Sequence, residues 1–280
     1  MINIGEYSEL NVVRKSDLGY MLTDGKEEVL LHFKQALCEH EVGDKLKVFI
    51  YSDKESRKTA TEQTPFITLE NPDFVKVVGV IPGVGVFVNI NTPKDILVSK
   101  DYLPFNEKFW PQVNDTLLCH LKVRRNNLSA KPLGRFDIIG LHKDVIYAEG
   151  EKKEGYVCKI ADGGIGIVTK DLMYVFVPNI QFRGSYRLGE EVVVTITKAL
   201  DEEYYGMLNL QKEDMIDSDK KLILEYIKKH NGRIRLTAKT DAKTIEHELH
   251  MSKKAFKRAY GGLYKDRVID FDDESTFLVK

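Results

Sequence analysis

Hydrophobic and polar positions along the 280-residue chain repeat one pattern three times and then change. Each copy has a glycine-led apolar run, a second apolar run, a small polar turn, a third apolar run and a short closing run. The first reads Gly19-Tyr-Met-Leu, Val29-Leu-Leu-His-Phe, Val42-Gly-Asp, Lys45-Leu-Lys-Val-Phe-Ile-Tyr and Lys58-Thr-Ala-Thr. The second reads Gly85-Val-Phe-Val, Asp95-Ile-Leu-Val, Val113-Asn-Asp, Leu117-Leu-Cys-His-Leu-Lys-Val and Asn127-Leu-Ser-Ala. The third reads Gly164-Ile-Gly-Ile-Val, Tyr174-Val-Phe-Val-Pro, Leu188-Gly-Glu, Val192-Val-Val-Thr-Ile-Thr and Gly206-Met-Leu-Asn-Leu. An alternating run precedes each glycine, at Glu9–Lys15, Phe74–Ile81 and Gly155–Ala161. Period-two alternation and β-branched content predict strands. Glycine at the head of the second strand suits a bend that a Cβ would obstruct. Five short strands per copy, closing on themselves, describe an OB-type barrel. A solenoid fits less well, because each copy is long enough to close its own core and the spacing is irregular.

From Ser218 the periodicity becomes helical. Ser218 and Asp219 can cap a helix with Leu222, Ile223, Tyr226 and Ile227 on one face, ended by Asn231-Gly232. An extended piece, Arg233–Leu236, follows, then a helix capped by Thr240 or Asp241 that carries Ile245 and Leu249. Ser252 caps a last helix whose Phe256, Ala259, Tyr260 and Leu263 lie at i, i+3, i+4 and i+7. A hairpin, Arg267–Phe271 and Thr276–Val279 around an acidic turn, closes the unit. That order is the order of a winged helix, whose later helix commonly faces nucleic acid. The fold class is therefore mainly β with a C-terminal α+β unit. Three tandem five-stranded OB-fold barrels occupy 1–62, 63–140 and 141–217, and a winged helix occupies 218–280.

Net charge is −1, which by itself gives no support to a polyanionic partner. Its distribution is more informative: about −3, +2, −5 and +5 over the four segments in order. On the last helix Lys253, Lys254, Lys257 and Arg258 lie away from the Phe256/Leu263 face, and Lys265 and Arg267 extend the basic side. The bland alternative is a solvated helix face. Cys38, Cys119 and Cys158 form neither a disulfide framework nor a zinc cage. His247-Glu-Leu-His250 has its histidines three apart, whereas a zinc-protease helix needs four. Gly163-Gly-Ile-Gly and Pro82-Gly-Val-Gly lack the lysine and the helix of a phosphate loop. The N-terminus, MINIGEYSEL, has no basic or apolar leader region, so a cytoplasmic, non-membrane location is expected. The pattern calls for no cofactor, no metal and no catalysis.

With the repeats and the C-terminal unit in view, the chain resembles the conserved virulence factor B family of bacterial RNA-binding proteins, over essentially its whole length. The most specific stretches are Gly43-Asp-Lys-Leu-Lys-Val-Phe-Ile-Tyr-Ser-Asp, Gly85-Val-Phe-Val with Pro93-Lys-Asp-Ile-Leu-Val, and Met251-Ser-Lys-Lys-Ala-Phe-Lys-Arg-Ala-Tyr-Gly-Gly-Leu-Tyr-Lys. The resemblance implies three barrels of the ribosomal S-one type plus a winged helix, and non-catalytic RNA binding that affects gene expression. Barrels of that type usually carry aromatics on the second and third strands and a histidine on the third. Phe87 stands at the second-strand aromatic of the middle copy, and His32 at the third-strand histidine of the first. The aromatic position is Met21 in copy one. In copy three Gly166 lies near it and Val177 is assigned to the histidine position.

Single-strand binders stack bases on aromatics and neutralise phosphates. The third copy supplies Tyr156, Tyr174 and Phe176, with Arg183 and Arg187 following. Alternation puts Tyr174 and Phe176 on one face, so both are expected in or both out. The acidic Asp201-Glu-Glu run reads as a solvated turn. The leading expectation is binding of single-stranded or structured RNA by the third barrel and the winged helix. A second is an adaptor docking on ribosomal or transcription machinery, and a third is DNA binding by the winged helix alone.

Overall fold

The computed structural model describes residues 2–124, 126–141, 145–200, 203–208 and 212–279, the last stretch with side chains from residue 219. Asp201, Glu202, Asn209 and Leu210, which the sequence reading placed in the acidic run and the closing strand of copy three, lie outside the described residues.

The first barrel comprises β1 (Tyr7–Lys15), β2 (Gly19–Thr23), β3 (Glu28–His32), β4 (Lys45–Ser52) and β5 (Lys58–Thr61), closed in the order β1-β2-β3-β5-β4. The second repeats that circuit with β6 (Asp73–Ile81), β7 (Gly85–Asn89), β8 (Ile96–Ser99), β9 (Thr116–Arg124) and β10 (Asn127–Pro132). The third repeats it again with β11 (Lys152–Ala161), β12 (Gly164–Thr169), β13 (Tyr174–Pro178), β14 (Glu191–Leu200) and β15 (Glu203–Leu208). The third and fifth strands of every barrel pair in parallel. Each first strand slips register at the same place, between Val12 and Arg14, Val77 and Gly79, and Val157 and Lys159. That bulge bends one long strand enough to pair with two neighbours. A Cβ on Gly19, Gly85 or Gly164 would lie 2.1, 2.1 or 2.3 Å from the carbonyl oxygen of Leu31, Val98 or Val177. Only glycine lets the second strand start that close to the third.

Inward-facing residues such as Leu22, Leu31, Val86, Val98, Ile165 and Val177 fill the barrels, and this apolar core is continuous through all three. Between barrels one and two, Ser52 donates to Asn127 and Lys94 donates to the Asp53 carbonyl. Barrels two and three are joined more tightly. The amide of Thr116 donates to the Gly189 carbonyl and the amide of Leu188 to the Phe109 carbonyl, both at 3.0 Å. A short helix in the connection, α1 (Arg135–Ile139), lies against the outside of the third barrel.

The C-terminal unit contains α2 (Lys212–Lys229), β16 (Arg233–Ile234), α3 (Ala242–Leu249), α4 (Lys253–Lys265), β17 (Ile269–Phe271) and β18 (Thr276–Leu278), with the strands ordered β16-β18-β17. The α3 cap is Asp241, which accepts from the Thr244 amide, and the α4 cap is Ser252, which accepts from the Ala255 amide. One correction concerns α2. Its start at Lys212 puts Ser218 and Asp219 inside the helix, so neither is its cap and the sequence-based cut at 217/218 falls within it. Asp219 is instead fully buried and paired with arginines. Ile223, Ile227, Ile245, Phe256 and Leu263 form a separate core for this unit.

Candidate nucleic-acid interface

The strand registers draw one row of side chains across the outside of each barrel, at equivalent places. In the first it runs Arg14, Met21, Leu30, Thr59, Tyr51. In the second it runs Gly79, Phe87, Leu97, Ser129, Lys122. In the third it runs Lys159, Gly166, Phe176, Tyr205, Lys198. The first row is closed at one end, since Thr59 and Tyr51 are buried. The second is open: Phe87, Leu97 and Ser129 are half-buried and Lys122 is exposed. The third has exposed lysines at both ends of a half-buried aromatic pair, Phe176 and Tyr205, whose rings meet edge to face at 6.1 Å. Cations flanking accessible aromatics are what a single strand needs, phosphates meeting the cations and bases the rings.

Other third-barrel residues singled out from the sequence are engaged inside the molecule. Arg187 makes two hydrogen bonds to Asp115 of barrel two, at 2.7 and 2.9 Å. The Arg183 guanidinium is buried and donates to Asp219 of α2 at 3.2 Å. Each of these arginines balances a carboxylate at a domain junction. Tyr156 packs on Phe74 of barrel two, ring centroids 5.2 Å apart. Tyr174 is 9% exposed, and that burial pushes its hydroxyl up to about 12. Tyr174 and Phe176 do share the outer face, yet with Arg135 lying over the Tyr174 ring only Phe176 is accessible. The segment around α1 covers the Tyr174 end, with Leu133 and Ile138 packed beside it. Gly166 makes room for that ring, since a Cβ there would lie 2.4 Å from the Tyr174 hydroxyl.

The histidine position also needs correcting. Gly19 pairs with His32, Gly85 with Ser99 and Gly164 with Pro178, so the third-barrel counterpart is Pro178. Val177 points into the core. His32 Nδ1 accepts from the Lys34 amide at 3.1 Å and Ser99 accepts from the Asp101 amide at 3.3 Å. At this position the side chain caps the short 3-10 turn that follows the strand.

On α4, Lys254, Lys257, Arg258 and Lys265 are exposed and fall at i, i+3, i+4 and i+11, one stripe opposite Phe256 and Leu263. Lys253 is half-buried on the flank, and Arg267 is exposed just beyond the helix. Beside the stripe, Tyr264 of α4 and Phe271 of the wing lie with ring centroids 5.1 Å apart, tilted at 53°, and are 50% and 45% exposed. Arg258 also reaches the second oxygen of Asp219 at 3.7 Å, so one buried carboxylate ties α2 to both α4 and the third barrel.

A model of the CvfB-like winged helix domain matches residues 221–278, one of the S1 domain matches 4–63, and one of the CvfB first S1-like domain matches 73–130. The chain is 33% identical to the uncharacterized protein YitL of Bacillus subtilis, over 99% of its own length and 94% of the relative's. It belongs to the conserved virulence factor B family. The conserved virulence factor B of Staphylococcus haemolyticus is 27% identical over 99% of this chain and 95% of that one. A multidomain protein with nucleic acid binding domains from Streptococcus pneumoniae shares the fold over 99% of both chains, with a TM-score of 0.66 and 24% identity. Its domain types make this conserved virulence factor B family member a nucleic-acid-binding protein.

Several residues of these outer faces escaped the sequence reading. Lys122, Lys159 and Lys198 are the outward members of alternating strands, a signal present in the sequence. Tyr205 was hidden in a closing strand, and Arg135 in a connection. On the middle barrel His120 pairs across the strands with Lys131 and lies two residues from Lys122, and its pKa is lowered by burial first and by those two lysines second. Among the described residues, no three His, Cys, Asp or Glu side chains gather as a metal site, and no helix is long and apolar enough to cross a membrane.

Proposed function

We propose that the protein binds single-stranded or structured RNA without catalysis, through the third barrel and the winged helix, and thereby regulates gene expression post-transcriptionally. The observation that carries this reading is the row Lys159, Phe176, Tyr205, Lys198, with cations at both ends of an aromatic pair. The α4 stripe and the exposed Tyr264–Phe271 pair supply a second surface of the same chemistry. Lys253 and Arg267 flank it, and Phe87 on the open middle row offers a further stacking platform. His32 contributes only its Nε2 side, its Nδ1 being occupied by the cap. In this reading the units are 1–62, 63–140 and 141 onward, with the last boundary drawn ahead of Lys212, where α2 begins.

The test leaves Arg258 in place, because it helps balance the buried Asp219. Replacing Lys254, Lys257 and Lys265 with alanine is expected to weaken binding of oligouridylate and oligoadenylate alike. The slope of log K against log salt should fall by roughly 0.7 per lost contact on a single strand, about 2 in all. Anisotropy titrations at several salt concentrations read both quantities. Unchanged affinity and slope would reject the winged-helix contact and favour the adaptor. Tighter binding of matched duplex DNA than of RNA would favour the DNA reading.

A further inference from the structure

The connection between barrels two and three does more than link them. Its α1 segment is held to the third barrel by Ile138, which is buried and packs in one cluster with Val168 and Tyr174. One turn away, Arg135 is half-exposed. Its guanidinium lies over the Tyr174 ring, 5.6 Å from the centroid, and pairs with Glu203 at the start of β15. Arg135 also lines a cavity of about 140 Å³, together with Ile139, Tyr174, Phe176, Glu203, Tyr204 and Tyr205. That is far below the ~300–1,000 Å³ of a drug-sized ligand site. Four of the seven lining residues are aromatic, and the cavity adjoins the Phe176–Tyr205 row.

We infer that this cavity is a subsite for one nucleobase of a single strand, and that Arg135 occupies the stacking position until the base displaces it. A guanidinium and a nucleobase are both flat groups that stack on an aromatic face, so they compete for the same surface of Tyr174. The Arg135 charge is balanced within the chain by Glu203, so in this position it is an internal ligand of the pocket and not an open phosphate contact. Displacement requires only a rotation of the Arg135 side chain, because the anchor of α1 is Ile138. This inference rests on the RNA reading above and adds a base-sized site with a built-in competitor.

The experiment uses the full chain and fluorescent oligouridylate and oligoadenylate at fixed salt, comparing wild type, Arg135→Ala, Glu203→Gln and the double variant Arg135→Ala/Tyr205→Ala. Arg135→Ala should bind about two- to tenfold more tightly, the size of one lost cation–π contact. Glu203→Gln should tighten binding in the same direction, because it frees Arg135 from its partner. Adding Tyr205→Ala should cancel the gain by removing a wall of the pocket. Melting curves confirm that each variant is folded. Weaker or unchanged binding by folded Arg135→Ala, with the wild type binding, would overturn the competitor role and leave the RNA reading standing. A wild type that binds neither oligonucleotide at any salt concentration would overturn both.

Discussion

On the middle barrel the row Phe87, Leu97, Ser129, Lys122 faces solvent, whereas on the third barrel the strip beside Phe176 and Tyr205 is roofed by α1 and bordered by barrel two. The two barrels share strand order, bulge position and register, so the difference is not in the fold of either. It lies in what each outer face is packed against. The middle barrel leaves its aromatic row free, while the third uses Tyr156, Tyr174, Arg183 and Arg187 to hold its neighbours. An aromatic on an outer strand face is therefore a binding platform or a joint according to its surroundings.

The largest expected effect is at Asp219, the buried carboxylate shared by Arg183 and Arg258. If the third barrel is the molecule's central joint, Asp219→Ala strands Arg183 without its carboxylate and should cost roughly 3–5 kcal/mol, as for one partner of a buried pair. Urea unfolding followed by circular dichroism reads that loss, and a midpoint equal to wild type would show that the joint contributes nothing. Next in size is a paired test of the two faces. Tyr174→Ala removes a buried ring and should destabilise by about 3 kcal/mol, whereas Phe87→Ala should cost under about 1 kcal/mol of stability. Conversely, Phe87→Ala should reduce RNA affinity by roughly 1–3 kcal/mol where a base stacks on it. Equal melting shifts in the two variants would erase the distinction between platform and joint.

The smallest expected effect is a pH dependence of the middle barrel. Burial and the nearby Lys131 and Lys122 hold the His120 pKa below its usual 6.5. The unfolded chain then takes up a proton at a higher pH than the folded one, so stability rises with pH in that interval. Stability should be full above pH 6.5 and fall as acidification proceeds through the folded pKa. Wild type and His120→Gln compared by melting temperature between pH 7.5 and 5 isolate this contribution, and identical slopes would exclude it.

Much of the architecture was legible along the chain because strand alternation, glycine-led hairpins and helix caps are local. The Gly19, Gly85 and Gly164 positions announced close backbone approach, and Ser252 announced the start of α4. The basic stripe was likewise legible, being a periodicity within one helix. The start of α2 was not, because the residues before Ser218 carry no strong stop and the role of Asp219 depends on Arg183, far away in sequence. The histidine position is Pro178 and not Val177, because a shift of one residue reverses the face of a strand and only the pairing with Gly164 settles it.

By itself the sequence determined three repeated barrels, a winged helix and a helix with a cationic side, all consequences of side-chain period and turn chemistry. Tertiary structure alone decided which aromatics and arginines remain available. Arg187 meets Asp115, Arg183 meets Asp219 and Arg135 covers Tyr174 across separations of tens of residues. No local pattern encodes those meetings, because they depend on how whole barrels pack against one another.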